Sequence, residues 1–315
     1  MSTFLPWHQP QWDQIAQRIA QSKMPHALLI TGPADSGKSL FLDALAGRLL
    51  CREGTEACGR CDQCHLLRAG THPDMLEVTL EDSKQIKIDQ IRDLTEWANQ
   101  TSQQGGYKVC VIHPADKLNR QSANALLKSL EEPPARTLLC LSTDQPNRLL
   151  PTLRSRCQRI DLTLPSAGEA KQWLNGQVSG DVDMLLRVAG GLPLRVLSLI
   201  DDDYLALRKD VSSGLVSLLT GRVSPLVLAA SLAKSPPELV LELIYLWLSD
   251  VIRMSLAGKP AVSNTDLLAD LEACESNVSL ERRFELLARV NSARAMMSST
   301  SNANHQMMLE WLLTE

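Results

Sequence analysis

Aromatic residues make up only 4% of this 315-residue chain, and no basic excess accompanies them: the formal net charge is −4. Both scarcities bear on function. Proteins that grip nucleic acid unaided draw most of their affinity from phosphate neutralisation, and single-strand binders add aromatic stacking platforms. A chain short of both would reach DNA locally or through partners. Long apolar runs are also missing. The longest, residues 239–248, is interrupted by Glu242 and is too short to span a bilayer. Residues 1–8 hold no basic segment followed by an apolar one, so no signal peptide is expected. The expected location is the cytoplasm, with no membrane contact, where disulfides are rare. Internal repeats and long low-complexity linkers are absent too.

What is present suits a soluble globular protein of two or three domains, with 44% hydrophobic and 22% charged residues. Residues 27–31 (Ala-Leu-Leu-Ile-Thr) form an apolar run that predicts a buried strand. Residues 38–50 then carry Leu40, Phe41, Leu45, Leu49 and Leu50 at helical spacing. Two further compact apolar runs, 108–113 and 137–142, flank a helical pattern over 122–132 that Pro133-Pro134 ends. Strands alternating with helices predict a parallel sheet covered on both faces. Beyond Pro165 the strand-like runs stop. Leu-rich helical patterns follow, broken at Gly190-Gly191, Gly221 and Pro236-Pro237. The spacing over 280–297 predicts a helix burying Leu280, Phe284, Leu287, Val290 and Met297, with Arg282, Arg283, Glu285 and Arg289 off that face. The expected division is an α/β domain over 1–165, a three-helix unit over 166–207 and a larger helical bundle over 208–315.

Gly32-Pro-Ala-Asp-Ser-Gly-Lys-Ser39 matches G-x-x-x-x-G-K-[ST] without a mismatch, between a predicted strand and a predicted helix. Gly32 and Gly37 let the backbone turn its N–H groups inward on phosphate oxygens, Lys38 reaches the terminal phosphates, and Ser39 suits Mg²⁺. The helix start adds its positive dipole end. Hydrolysis needs more: a strand ending in Asp to order the metal, followed in this class by Glu to activate water. Here the strand over 109–112 ends in His113-Pro114. Proline is no base, and neutral histidine is a poor Mg²⁺ ligand. Asp116, beyond the proline, is a weak substitute. The residues point to ATP or ADP binding without efficient turnover.

Of eight cysteines, four cluster as C-x6-C-x2-C-x2-C: Cys51, Cys58, Cys61 and Cys64. Four thiols at such spacing in a cytosolic chain suit tetrahedral Zn²⁺ with no open position, hence a structural metal. Gly54 and Gly59 supply turns, Arg52 and Arg60 offset charge, and His65 is an alternative fourth ligand. Cys110, Cys140, Cys157 and Cys274 lie in apolar segments and read as small buried residues.

These motifs, with Pro25-His-Ala-Leu-Leu-Ile30, Gly70-Thr-His-Pro-Asp74, Ala123-Asn-Ala-Leu-Leu-Lys-Ser-Leu-Glu-Glu-Pro-Pro134 and Leu153-Arg-Ser-Arg-Cys157, resemble the bacterial clamp-loader family, specifically the delta-prime subunits of DNA polymerase III. The likeness is close over the first half and extends to helical character in the second. It implies an AAA+ (RecA-like) P-loop domain with a zinc-binding insert, a helical lid and a C-terminal collar. It also implies a hetero-pentamer with gamma/tau and delta subunits that loads the sliding clamp on primed DNA within a DNA-directed DNA polymerase holoenzyme. Ser155-Arg156-Cys157 matches the family's arginine-finger motif, which implies that Arg156 enters a neighbour's ATP site. Leu194 stands where active members carry a lid arginine, and Arg195 beside it reads as a solvent-facing charge. Two other readings stay open: a catalytically active loader ATPase of gamma/tau type, and a zinc-stabilised DNA-binding module with a vestigial P-loop. Turnover by the chain alone favours the first, and a basic, aromatic-studded face the second.

Overall fold

The structure, a computed structural model, describes residues 4–53, 56–81, 83–201, 204–299 and 304–314. It forms two compact units that part between residues 169 and 170. The first alternates helix and strand: α1 (Gln9–Ala20), β1 (Ala27–Thr31), α2 (Lys38–Leu50), α3 (Asp62–Arg68), β2 (Met75–Val78), α4 (Ile88–Asn99), β3 (Lys108–Ile112), α5 (Arg120–Glu131), β4 (Thr137–Thr143), α6 (Pro151–Arg154) and β5 (Gln158–Asp161). All strand pairings are parallel, in the order β2-β3-β4-β1-β5.

Every residue of β1, β3 and β4 is buried, as a parallel sheet covered on both faces requires. The two-residue strand period sorts their side chains. Leu28, Ile30, Val109, Val111, Leu138 and Cys140 pack on Trp12, Ile15, Phe41 and Leu45 of α1 and α2. Ala27, Leu29, Cys110, Ile112, Leu139 and Leu141 meet Ile91 and Leu94 of α4, and Ala123, Leu126 and Leu130 of α5. Phe41 and Leu126 lose all exposure, and each such burial contributes about 1.5–3 kcal/mol. The edge strands β2 and β5 have four residues each and stay partly exposed.

The second unit is helical: α7 (Ala167–Leu174, which straddles the division), α8 (Val182–Val188), α9 (Pro193–Asp201), α10 (Tyr204–Leu219), α11 (Pro225–Leu232), α12 (Pro237–Ala257), α13 (Leu268–Asn277), α14 (Leu280–Ser299) and α15 (His305–Thr314). Gly190, Gly191 and Gly221 take positive φ between helices, and Pro236-Pro237 opens α12. The core centres on Val240, Leu241, Ile244, Trp247 and Val251 of α12. No helix among the described residues is long and apolar enough to cross a membrane.

The stripe expected on α14 is only partly buried. Val290 and Met297 are in the core, but Leu280 and Phe284 are 37% and 47% exposed, whereas Arg283 is 4% exposed. The reason lies at the end of α13, whose last carbonyls lack intrahelical donors. The Arg283 guanidinium donates to Glu275 O (2.9 Å) and Val278 O (2.7 Å), and also to Ser255 Oγ. Satisfying those half-buried acceptors turns the helix face away from its apolar spacing.

Candidate functional site

β1 delivers the chain at the C-terminal edge of the sheet, and residues 32–37 turn it into α2. Gly37 caps the helix at φ +91°, a left-handed conformation that favours glycine. A Cβ there would also collide with Leu5 Cδ1, and one at Gly32 would sit 2.7 Å from Ser36 Oγ. The loop is therefore backed tightly by Leu5 and His8, and glycine is the residue that fits. Lys38 is 6% exposed and donates to Gly32 O (2.9 Å) and Pro33 O (2.5 Å). Burial lowers its pKa, while Asp144, Asp35 and Asp116 pull it back up. Ser36 Oγ is buried without a partner, and Ser39 is exposed on the first turn of α2. A buried ammonium, an orphan hydroxyl and a left-handed turn at a helix start form a donor set that fits a polyphosphate.

Opposite this loop, β3 ends at Ile112, and His113-Pro114 comes next with a cis peptide. Asp116 lies in the 3-10 turn Ala115–Lys117. Its Oδ1 accepts from Thr143 Oγ1 at 2.6 Å, which ties that turn to the end of β4. Three carboxylates, Asp35, Asp116 and Asp144, thus act on Lys38. Sequence reasoning singled out only Asp116. Asp144 is the first residue past β4. Its signal was positional: a carboxylate just beyond a strand end, on the edge of the sheet that bears the loop.

The cysteine insert begins where α2 stops. Cys51 caps that helix, Cys61 precedes α3, and Cys64 lies in its first turn. The four Sγ atoms of Cys51, Cys58, Cys61 and Cys64 all lie within 4.8 Å of one another. Cys51 to Cys61 and Cys58 to Cys64 are both 3.9 Å apart. A tetrahedral metal–thiolate centre with bonds of about 2.3 Å needs sulfurs roughly 3.8 Å apart, so this set can hold a metal ion. Backbone N–H groups already point at the sulfurs: Glu53 N and Cys58 N to Cys51 (3.5 and 3.4 Å), and Cys61 N to Cys58 (3.4 Å). The Cys64 backbone N–H is the main pull that brings the Cys61 thiol down to about 6, whereas burial pushes Cys64 up to about 12. Gly59 makes its turn at φ +74°; Gly54 lies outside the described residues.

The arginines of this insert have specific partners. Arg60 pairs with Glu53 (3.1 Å) within electrostatic reach of Cys58, and Arg52 donates to Gln104 Oε1 (2.8 Å). His65 is exposed and stands outside the thiol group. Cys110, Cys140, Cys157 and Cys274 are buried.

The segment Gly70-Thr-His-Pro-Asp74 anchors this insert to the sheet. Asp74 is 1% exposed, and its carboxylate accepts from Ser102 Oγ, Gln103 N and Gln104 N, each at 2.8 Å. Burial raises its pKa, but those donors and His72 outweigh it and hold the carboxyl below its ordinary value. Gln104 Oε1 in turn accepts from Arg52 and from Gln63 (3.0 Å).

Arg156 comes just after α6 in Ser155-Arg156-Cys157, with Cys157 buried beneath it. Its guanidinium donates to Thr152 O (3.1 Å) and pairs with Glu131 at the end of α5 (2.5 Å), and its side chain is 36% exposed. Arg195 is not solvent-facing as expected. It pairs with Glu242 of α12 and is 25% exposed, because α9 places it beside that carboxylate within the helical unit.

A five-stranded parallel sheet with a phosphate-type loop after β1, followed by a helical unit, defines an AAA+-type P-loop protein with a four-cysteine insert. The family profile described as "DNA polymerase III, delta subunit" matches residues 7–166, and its C-terminal counterpart matches residues 202–315. A Pseudomonas aeruginosa protein named DNA polymerase III subunit delta' is 33% identical, with 100% of this chain and 98% of that protein covered. Its Escherichia coli counterpart is 32% identical, over 98% and 93%. The Escherichia coli DNA polymerase III subunit tau is 29% identical over 73% of this chain and 38% of its own length. The chain belongs to the DNA polymerase III subunit delta' family.

Proposed function

We propose that the chain is a clamp-loader subunit that retains nucleotide with little or no hydrolysis and lends Arg156 to a neighbouring ATPase subunit. In this reading it works in the cytoplasm, in a hetero-pentamer with gamma/tau and delta subunits that places the sliding clamp on primed DNA. Residues 166–207 act as the lid and 208–315 as the collar. The thiols of Cys51, Cys58, Cys61 and Cys64 hold a structural Zn²⁺.

The observation that carries the proposal is an asymmetry at the loop. Gly32, Gly37, Lys38 and Ser39 are assembled on a strand–turn–helix, with Lys38 buried among the loop's own carbonyls. The strand that should end in a metal-ordering Asp and a water-activating Glu ends in His113 and Pro114 instead. Bound ATP or ADP would meet the loop N–H groups, Lys38 and, through Mg²⁺, Ser39. Arg156 is half-exposed on a short helix end and offers a forked, permanently charged donor set. A finger supplied to a neighbour accelerates phosphoryl transfer by roughly 10³–10⁵.

The test is to incubate the purified chain with fluorescent ATP and ADP analogues and Mg²⁺, and to measure binding and phosphate release separately. Binding that Lys38→Ala abolishes, with no release above background, is the expected result. Mg²⁺-dependent release at about one per second, an ordinary kinase-like rate, would overturn the proposal.

A further inference from the structure

Arg156 is held, not merely present, and the group that holds it is Glu131. α5 ends at Glu131 because Pro133-Pro134 come next and cannot continue the helix. A carboxylate in that last position faces the negative end of the helix dipole, an unfavourable place for it. Lys128, the cation of the same turn, makes no ion pair with it among the described residues. The partner comes instead from just beyond α6, 25 residues on: Arg156 Nη2 donates to Glu131 Oε1 at 2.5 Å, while its Nη1 donates to Thr152 O at 3.1 Å. The neighbours are left out of this contact. Glu132 and Arg154 form no ion pair among the described residues, although each lies one or two positions from the paired groups.

Two of the five guanidinium donors are thereby committed, on a side chain that stays 36% exposed. A free arginine samples many rotamers and must give up that freedom each time it meets a phosphate. One already anchored at both terminal nitrogens gives up less.

We infer that Glu131 is a positioning residue for the arginine finger: its carboxylate sets the direction in which Arg156 is presented to the neighbouring subunit. The inference rests on the finger reading of Arg156. It adds that the Leu130-Glu131-Glu132-Pro133-Pro134 stretch, through Glu131, serves the active site of another chain.

The experiment compares Arg156→Ala, Glu131→Ala, Glu131→Gln and the double alanine variant in the reconstituted loader, reading kcat and KM for ATP with assembly as a control. Glu131→Ala should lower kcat about two- to fivefold, the range an exposed ion pair supports, with KM and assembly unchanged. Glu131→Gln, which keeps the acceptor without the charge, should retain more than half of the rate. Adding Glu131→Ala to Arg156→Ala should change nothing further. An undiminished kcat in Glu131→Ala beside a collapse in Arg156→Ala sinks the inference and leaves the finger standing. An equal further loss in the double variant sinks it too, since Glu131 would then act elsewhere. A silent Arg156→Ala overturns both readings together.

Discussion

Asp74→Ala tests how the cysteine insert is tied to the sheet. The carboxylate is almost fully buried and accepts three hydrogen bonds of 2.8 Å from residues 102–104. Bonds to a charged acceptor contribute about 1.5–3 kcal/mol each. The donors freed by the alanine lie near the surface, where water can reach Gln103 and partly reach Ser102 and Gln104, so the losses do not simply add. The expected net destabilisation is about 3 kcal/mol, or a fall in Tm of roughly 6–12 °C for a unit of this size. Trp97 is a convenient reporter, since its Nε1 donates to Pro73 O (3.1 Å) and its ring lies 4.1 Å under the Lys108 ammonium. Urea titrations followed by tryptophan fluorescence would give the difference. The pH dependence has a definite sign. The folded-state pKa lies below the ordinary carboxylate value, so the stabilisation is complete above about 3.9 and fades as pH falls through the lower folded value. The gap between wild type and variant should therefore be flat from about pH 5 to 8 and narrow in strong acid. A gap under about 0.5 kcal/mol at neutral pH would show that the three bonds are replaced by water at no cost, and the reasoning would fail.

Two further outcomes are expected. Cys61→Ser should lower bound zinc, measured by elemental analysis, from one equivalent to well below it, with a Tm drop of several degrees and unchanged nucleotide binding; a fully loaded, equally stable variant would remove the structural-metal assignment. His8 is fully buried, and that burial takes its pKa from 6.5 down to about 4 against a weaker opposing contact with Thr163. The unfolded chain therefore binds the extra proton first. Stability falls as pH drops from about 6.5 towards 4, by about 3 kcal/mol over the window. His8→Phe, which keeps a ring against Phe41, should flatten that slope in acid denaturation curves; an unaltered slope would place the proton linkage elsewhere.

The parts of the fold legible in the sequence were those where one physical demand acted alone. β1, β3 and β4 are buried on both faces, so each is a continuous apolar run flanked by turn residues. β2 (Met-Leu-Glu-Val) and β5 (Gln-Arg-Ile-Asp) lie at the edges with only one side chain each fully buried, and no run marks them. On α14 the apolar spacing was misleading because half-buried carbonyls at the end of α13 compete for the same face, and Arg283 wins. The four cysteines could be grouped from spacing, since a short insert between α2 and α3 leaves them little room to separate. The partners of Arg156 and Arg195 were not legible. Glu131 and Glu242 are brought to them by packing between helices, which no local pattern encodes.

Several residues break local rules, and they do so where elements end. Lys38 is buried at a helix start, facing three carboxylates. Glu131 sits at the wrong end of its helix dipole. Asp74 is a charge in the interior beside the thiol insert. Each violation is compensated by groups from a different stretch of chain: Asp116 and Asp144 beyond β3 and β4, Arg156 beyond α6, and the 102–104 turn before β3. Sequences that fold reliably keep such conflicts few and place them at functional sites. The first of these three is the loop itself, and the second is the candidate finger. By the same logic Asp74 belongs to the anchoring of the insert, which is why its loss should be felt at Trp97 and through Gln104 at the cysteines, while leaving the Gly32–Ser39 loop unchanged.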